Sequence, residues 1–208
     1  MISTFFITGI STEVGKTMVS AVITEALEAD YWKPVQAGEL AHSDTDKVSQ
    51  LVSNTKTKFH SSSFNLETPM SPHAAAAIDG VALTVQKIKR PKTKNSLVIE
   101  GAGGLLVPIN KKETMADLIH KKDKIIVVSR HYLGSINHTL LTIQALLERG
   151  LTVFGIVFSG DEHPTTETII QEMTQIPILG RIEEEPYFDK NVVQEYAEKL
   201  RDELTKQR

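Results

Sequence analysis

The sequence predicts an α/β fold: a doubly wound, mainly parallel sheet with helices on both faces. Three observations predict it. Apolar runs alternate with longer amphipathic segments along the chain, the βαβα order that builds a parallel sheet. The apolar runs are unbroken stretches of Ile, Val, Leu and Phe, as expected when both sheet faces are covered. The first run leads through a glycine loop straight into a helical segment.

Taken in order, Phe5-Phe6-Ile7 marks a strand over residues 3–8, and the segment behind the glycine loop a helix over 16–29. A short strand follows over 31–34, where Pro34 ends any helical option. Helices over 45–53, 70–79 and 84–89 lead to a strand over 96–100. A helix over 115–120 precedes the run Ile125-Ile126-Val127-Val128, a strand over 124–129. Ile136, Leu140, Ile143 and Leu147 recur at helical spacing and predict a core-facing helix over 136–149. Leu141, Ala145 and Leu146 widen its apolar surface beyond one stripe. Strand 152–158, helix 166–174, strand 177–179 and helix 191–204 follow. The basic, proline-containing stretch 90–95 reads as a solvated loop. With no repeat or linker, the 208 residues are expected to form one domain.

Composition narrows the function. Twenty-six acidic against 23 basic residues leave a net charge of −3, which gives no electrostatic case for nucleic acid or an anionic membrane as partner. The absence of cysteine excludes disulfides, zinc–thiolate sites and thiol catalysis. The N-terminus enters a strand without a signal-peptide pattern, and no apolar run approaches the ~20 residues of a membrane span. A cytoplasmic location is the expectation.

In open parallel sheets ligands sit beyond the carboxyl ends of the strands. That rule puts residues 9–17, 33–46, 100–104 and the segment after Val128 on one rim. The first is Gly9-Ile10-Ser11-Thr12-Glu13-Val14-Gly15-Lys16-Thr17. Strand, glycine loop ending in Gly-Lys-Thr and helix form the layout of a P-loop nucleotide-binding fold. Glycines let backbone N–H groups close around phosphate oxygens, and the helix N-terminus adds partial positive charge. Lys16 can reach the β- and γ-phosphates, and the Thr17 hydroxyl can ligate Mg²⁺. Five residues separate Gly9 from Gly15, where the common loop has four.

The other rim segments are weaker alone. In Lys33-Pro34-Val35-Gln36-Ala37-Gly38, Lys33 points off a strand end toward the side of Lys16, where two lysines can stabilise a transferred phosphoryl group. By spacing alone a surface lysine is as good a reading. Ser43-Asp44-Thr45-Asp46 is a helix cap or a source of a carboxylate for Mg²⁺. In Val98-Ile99-Glu100-Gly101-Ala102-Gly103-Gly104, a buried strand ends in a carboxylate suited to Mg²⁺, followed by glycines that admit a ligand close to the backbone. Gly134-Ser135-Ile136-Asn137-His138 opens a helix, either as a cap or as a seat for an anion on free N–H groups. His73 in Ser71-Pro72-His73 reads either as a structural hydrogen-bonding group or as one that orients a substrate, and His138 as structural.

These segments in this order resemble the dethiobiotin synthetases. The matching pieces are T-G-x-x-T-E-V-G-K-T at 8–17, K-P-V-x-x-G at 33–38, Ser43-Asp44, Ser71-Pro72-His73, E-G-A-G-G at 100–104 and L-G-x-I-N-H-T-L-L at 133–141. The resemblance runs to about residue 160 and is weak in the last quarter. It implies a homodimeric P-loop ligase acting on 7,8-diaminopelargonic acid, CO₂ and ATP with Mg²⁺. One amine captures CO₂ as a carbamate, ATP phosphorylates it, and the second amine closes the ureido ring. Carried over by motif, Thr12, Lys16 and Lys33 are catalytic. Thr12, Glu13, Val14, Gly15, Lys16, Thr17, Asp44, Glu100, Gly101, Ala102, Gly103 and Ser159 contact nucleotide. Thr17, Asp44 and Glu100 surround Mg²⁺. Ala37, Ser135, Ile136 and Asn137 contact the substrate, the last three reaching the partner subunit's site.

The departures are specific. Ala37 stands where the family usually has Ser or Thr, Ser159 where it often has Asn, and Glu183 where a G-x-I-P pattern has proline. Glu183, Glu184 and Glu185 are then expected near the nucleotide base, which would be held loosely. The alternative on the same fold is a partitioning ATPase that uses nucleotide as a switch. Such proteins carry a second lysine five residues before the loop lysine, where this chain has Ser11.

Overall fold

The computed structural model describes residues 2–206. Seven strands form one parallel sheet. They are β1 (Thr4–Gly9), β2 (Asp30–Trp32), β4 (Phe59–His60), β6 (Leu97–Gly104), β7 (Lys124–Arg130), β8 (Val153–Ser159) and β9 (Ile178–Ile182). Their order across the sheet is β4-β2-β6-β1-β7-β8-β9. A second, two-stranded sheet pairs β3 (Val35–Ala37) with β5 (Phe64–Leu66), also parallel. The helices are α1 (Lys16–Leu27), α2 (Asp44–Leu51), α3 (Pro72–Ile78), α4 (Ser135–Glu148), α5 (Pro164–Thr174) and α6 (Lys190–Thr205). α1, α2 and α6 pack on one another, and α4 packs on α5, as two layers flanking the sheet. The central strands are buried along almost their whole length, which is why their sequences show no polar alternation.

The differences from expectation have physical causes. Residues 31–34 are not one strand: β2 stops at Trp32, because Pro34 has no N–H for the ladder. The chain then re-enters extended structure as β3. Strands β3, β4 and β5 were not expected, since two- or three-residue elements are too short to show periodicity. The expected helices over 84–89 and 115–120 are single 3-10 turns, Val85–Lys87 and Met115–Leu118. β6 continues past Glu100 to Gly104, pairing Gly104 with Gly9. In α4 the buried positions are Ser135, Thr139, Thr142, Ile143 and Leu146, rather than the stripe through Leu140 and Leu147. The core-facing side is part polar because Thr139 hydrogen-bonds Ser129 on β7 at 2.8 Å.

Residues 90–95 are a lock, not a solvated loop. Arg90 donates to both carboxylate oxygens of buried Asp123 at 2.8 and 2.6 Å. Thr93 and Asn95 donate to the buried Asp30 carboxylate, which also accepts from the Lys58 N–H and pairs with His60. These bonds hold its carboxyl below the usual range, against the upward push of burial. Among the described residues no helix is long and apolar enough to cross a membrane.

Gly155 lies inside β8, where a Cβ would stand 2.4–2.8 Å from three atoms of the Leu179 side chain. Leu179 is itself buried and has little room to yield. Gly155→Ala is expected to destabilise the chain by ~1–3 kcal/mol, read as a lower urea midpoint at unchanged slope.

Candidate active site

The site grows from the end of β1. Residues 10–15 turn over the strand end, with Glu13 at φ +54° and Gly15 at φ +89°. Gly15 cannot carry a side chain: a Cβ there would sit 2.5 Å from the Ser159 hydroxyl at the end of β8. Val14 points down into the core, so only its backbone belongs to the loop surface. Thr12 and Glu13 are exposed on the loop. Lys16, the first residue of α1, folds back and donates from Nζ to the Ser11 carbonyl at 2.9 Å.

Parallel register supplies the rest. β2 pairs with β6 as Tyr31 opposite Val98. Side chains two residues apart share a sheet face, so Lys33 and Glu100 meet on the face of Tyr31. Lys33 Nζ lies 3.0 Å from Glu100 Oε1 and also pairs with Asp44 Oδ2. Thr17 Oγ1 is 3.0 Å from Glu100 Oε1 and 3.3 Å from Asp44 Oδ1. The remaining Glu100 oxygen accepts from the Tyr31 hydroxyl at 2.8 Å. Asp44 reaches this cluster because it is the first residue of α2, capped by its neighbours. Ser43 accepts from the Asp46 N–H while Asp46 accepts from the Ser43 N–H, so Asp46 is the capping carboxylate and Asp44 is free to face inward. The Asp44 N–H donates to Gln36 Oε1 at 3.3 Å, and Gln36 Nε2 in turn holds the Gly38 carbonyl.

Electrostatics differ sharply between the two lysines. Burial brings Lys16 down to about 8; the nearby Glu100 and Asp44 charges oppose that and the Lys33 charge adds to it. Burial acts on Lys33 in the same direction, but contact with Glu100 and Asp44 outweighs it and raises Lys33 above the usual lysine value. Asp44 is held below the usual carboxylate range because Lys33 outweighs its own burial. Lys33 is thus a fixed cation, and Lys16 one whose charge depends on what it faces.

The same atoms fit a hard cation. Thr17 Oγ1, Asp44 Oδ1 and Glu100 Oε1 are all oxygen donors. Two neighbouring oxygens 3.0–3.3 Å apart match the edge of an octahedron with ~2.1 Å bonds. No group of three or more His, Cys, Asp or Glu side chains suited to a metal gathers among the described residues.

The other expected residues fall into two sets. Gly101, Ala102 and Gly103 lie on the last half of β6, and a Cβ on Gly103 would be 3.4 Å from the Thr12 methyl. Ser159 covers Gly15, as above. Ala37 ends β3, beside Gln36. Ser135, Ile136 and Asn137 open α4 behind Gly134 at φ +103°, and no hydrogen bond or ion pair joins them to the lysine cluster. The Ser135 N–H donates to the Tyr132 carbonyl at 2.9 Å, leaving the N–H groups of Ile136 and Asn137 in a first turn without intrahelical acceptors. His138 pairs with the Tyr132 hydroxyl and His73 with Ser71, both local bonds. An open groove of about 480 Å³ runs from Ile10, Ser11 and Thr12 to Leu106, His138 and Leu141.

Near Ser159, two of the three glutamates expected around a base have protein partners. Glu184 pairs with Arg130, and Glu185 accepts from the Tyr196 hydroxyl at 2.6 Å. Tyr31 and Gln36 were not anticipated, nor was a rim cluster in which Glu167 binds Arg181 and His131, whose ring stacks on Phe158 at 5.0 Å. A lone Tyr in an apolar strand carries no sequence signal. It becomes legible only once the pairing of β2 with β6 is known.

A protein-family model described as an AAA domain matches residues 3–192. The chain is 63% identical over 204 residues to the ATP-dependent dethiobiotin synthetase BioD of Christiangramia forsetii, covering 98% of this chain and 99% of that one. With the protein of the same name from Cytophaga hutchinsonii it is 48% identical over 200 residues, 95% and 97% of the two chains. Among solved structures, the septum site-determining protein MinD from Pyrococcus horikoshii, complexed with Mg-ADP, matches at TM-score 0.66 and 15% identity over 99% of this chain and 97% of that one. A ParA family ATPase from Chlorobium tepidum matches at TM-score 0.58 and 11% identity over 98% and 92%. Both likenesses concern the fold alone.

The depressed Lys16 gives a pH signature. At pH 8.5 a lysine titrating at about 8 is mostly neutral, and a bound phosphate favours its charged form. ADP binding at pH 8.5 is therefore expected to take up a fraction of a proton, and to take up almost none through this group at pH 6.5, where Lys16 is already charged. Calorimetry in two buffers of different ionisation heat measures it. Uptake of the same size in Lys16→Met would assign it elsewhere.

Proposed function

The chain belongs to the ATP-dependent dethiobiotin synthetase family, and from that premise we propose that it makes dethiobiotin from 7,8-diaminopelargonate, CO₂ and ATP. The observation that carries this reading is Lys33 held between Glu100 and Asp44 beside the Lys16–Thr17 end of a phosphate-binding loop. One substrate amine, in its neutral form, adds to CO₂ and loses a proton, forming a carbamate. A carbamate oxygen attacks the γ-phosphorus, the bond to the β-phosphate oxygen breaks, and ADP departs. The second amine attacks the carbonyl of the mixed anhydride, the C–O bond to phosphate breaks, and the ureido ring closes. Phosphoryl transfer of this kind needs positioning and charge stabilisation more than a strong base.

Each part of the site has a task in this scheme. The backbone of residues 12–17, with Gly101, Ala102, Gly103 and Ser159 alongside, cradles the nucleotide phosphates. Lys16 takes the β- and γ-oxygens. Lys33 faces the carbamate and the transferring phosphoryl group, with Thr12 opposite. Thr17, Asp44 and Glu100 would hold Mg²⁺, which neutralises phosphate charge. Ala37 lies on the substrate side, without the hydroxyl the family often has there. Ser135, Ile136 and Asn137 receive the substrate carboxylate, at a site completed by a second copy of the chain. Support for that dimer is the solvent-facing apolar set Leu106, Leu133 and Leu141, of which Leu106 and Leu141 line the groove. The same reading takes the chain as one cytoplasmic domain that binds neither nucleic acid nor membrane. The switch alternative has the MinD and ParA likeness behind it, but Ser11 stands where its second lysine would be.

The deciding assay follows dethiobiotin formation from diaminopelargonate, bicarbonate and ATP, with and without chelation of Mg²⁺. Lys16→Ala and Lys33→Ala are each expected to lose on the order of a hundredfold or more in turnover. Near-normal turnover in Lys33→Ala would return it to a structural ion pair. For the assembly, wild type is expected to sediment at twice the chain mass, and Leu141→Glu to shift toward monomer with loss of activity. A monomer of full activity would refute the shared site.

A further inference from the structure

Glu100 is completely buried, and a buried carboxylate has several ways to turn and few ways to be satisfied. Its Oε1 is shared by Lys33 and Thr17, at 3.0 Å each. Its Oε2 faces a single donor, the Tyr31 hydroxyl at 2.8 Å. Tyr31 is also completely buried, and its ring packs against Phe59, with centroids 6.3 Å apart. The phenol therefore has one partner and a fixed direction.

We propose that Tyr31 is a positioning residue of the phosphate-and-metal site: by holding Oε2, it fixes the rotation of Glu100 that presents Oε1 to Thr17 and Lys33. The proposal rests on the reading of Glu100 as part of that site. Tyr31 touches neither nucleotide nor substrate in this scheme. Without its hydroxyl, Oε2 is an unsatisfied buried acceptor, and the carboxylate relieves that by turning toward Lys33. The oxygen offered beside Thr17 is then lost, while the backbone cradle for the phosphates is untouched. The defect should accordingly appear in the use of Mg²⁺ and not in the binding of metal-free nucleotide.

The test is Tyr31→Phe, with ADP affinity measured by calorimetry in Mg²⁺ and in EDTA, beside Glu100→Gln and wild type. Tyr31→Phe is expected to bind ADP normally in EDTA and about tenfold more weakly in Mg²⁺, the scale of one hydrogen bond to a charged group. In turnover the change falls on the apparent Mg²⁺ constant rather than on kcat. Wild-type affinity in both conditions, or equal weakening in both, overturns the proposal even if the melting temperature falls. If Mg²⁺ does not strengthen ADP binding to wild type, or Glu100→Gln leaves that strengthening intact, the reading of Glu100 itself fails and takes the proposal with it. Should Tyr31→Phe not fold, wild type carrying ring-¹³C tyrosine decides. The Tyr31 Cζ resonance, assigned by phenylalanine replacement of Tyr132, Tyr187 and Tyr196 singly, is expected to move when Mg²⁺ is added to the ADP complex. An unmoved resonance overturns the proposal.

Discussion

The parallel register of β2, β6 and β1 is the constraint on which the rest of the site depends. Opposite Tyr31 on β2 stands Val98 on β6, and opposite Ile7 on β1 stands Glu100. Two residues beyond the first pair, Lys33 and Glu100 share a face. β1 then runs into the loop that ends in Lys16 and Thr17. One buried carboxylate thereby joins Lys33, Tyr31 and Thr17, which lie 67, 69 and 83 residues from it in the chain. A slip of one residue between β2 and β6 would send Lys33 and Tyr31 to the opposite face from Glu100. It would leave a carboxylate in the core with no cation or phenol to meet it.

That junction is costly as a stability device. Buried ion pairs give up much of their attraction to desolvation, and apolar packing of the same volume often does better. Its value lies in readiness for a ligand. An ammonium group has three donors; Lys33 uses them toward Asp44 and Glu100, which leaves one for an incoming anion. Thr17 has a single hydroxyl proton divided between two carboxylate oxygens, so its lone pairs stay available to a cation. Burial lowers Lys16 to about 8, so its charge fades only above that pH, where a phosphate would restore it.

Much of this was legible in the sequence, for reasons that differ by residue. Gly15, Lys16 and Thr17 sit in a local motif whose flanking strand and helix confirm it, so their placement needs no tertiary knowledge. Glu100 was legible as the end of an apolar run. Lys33 and Asp44 stayed ambiguous, because a lysine off a strand end and a carboxylate at a helix start each have a common structural explanation. In the fold the two are in contact, and Asp46 takes the capping bonds that the sequence could have given to Asp44. Tyr31 and Gln36 were invisible because their only distinction is what faces them across a register or a sheet corner. The stripe on α4 misled for a related reason: its periodicity was read for apolar residues alone, while Ser135, Thr139 and Thr142 occupy much of the buried face.

The fold itself discriminates little among functions. MinD shares this architecture at 15% identity, so the fold is common ground between proteins of different names. What separates them is side-chain chemistry at a few rim positions. Where a switch ATPase would place a lysine five residues ahead of the loop lysine, this chain has Ser11, whose carbonyl accepts from Lys16. The loop is thus braced from within, with Lys16 folded over it. The second cation comes instead from Lys33, just past the end of β2 and anchored by two carboxylates. Under the proposed reaction, such a cation would stabilise charge on the phosphorylated acceptor.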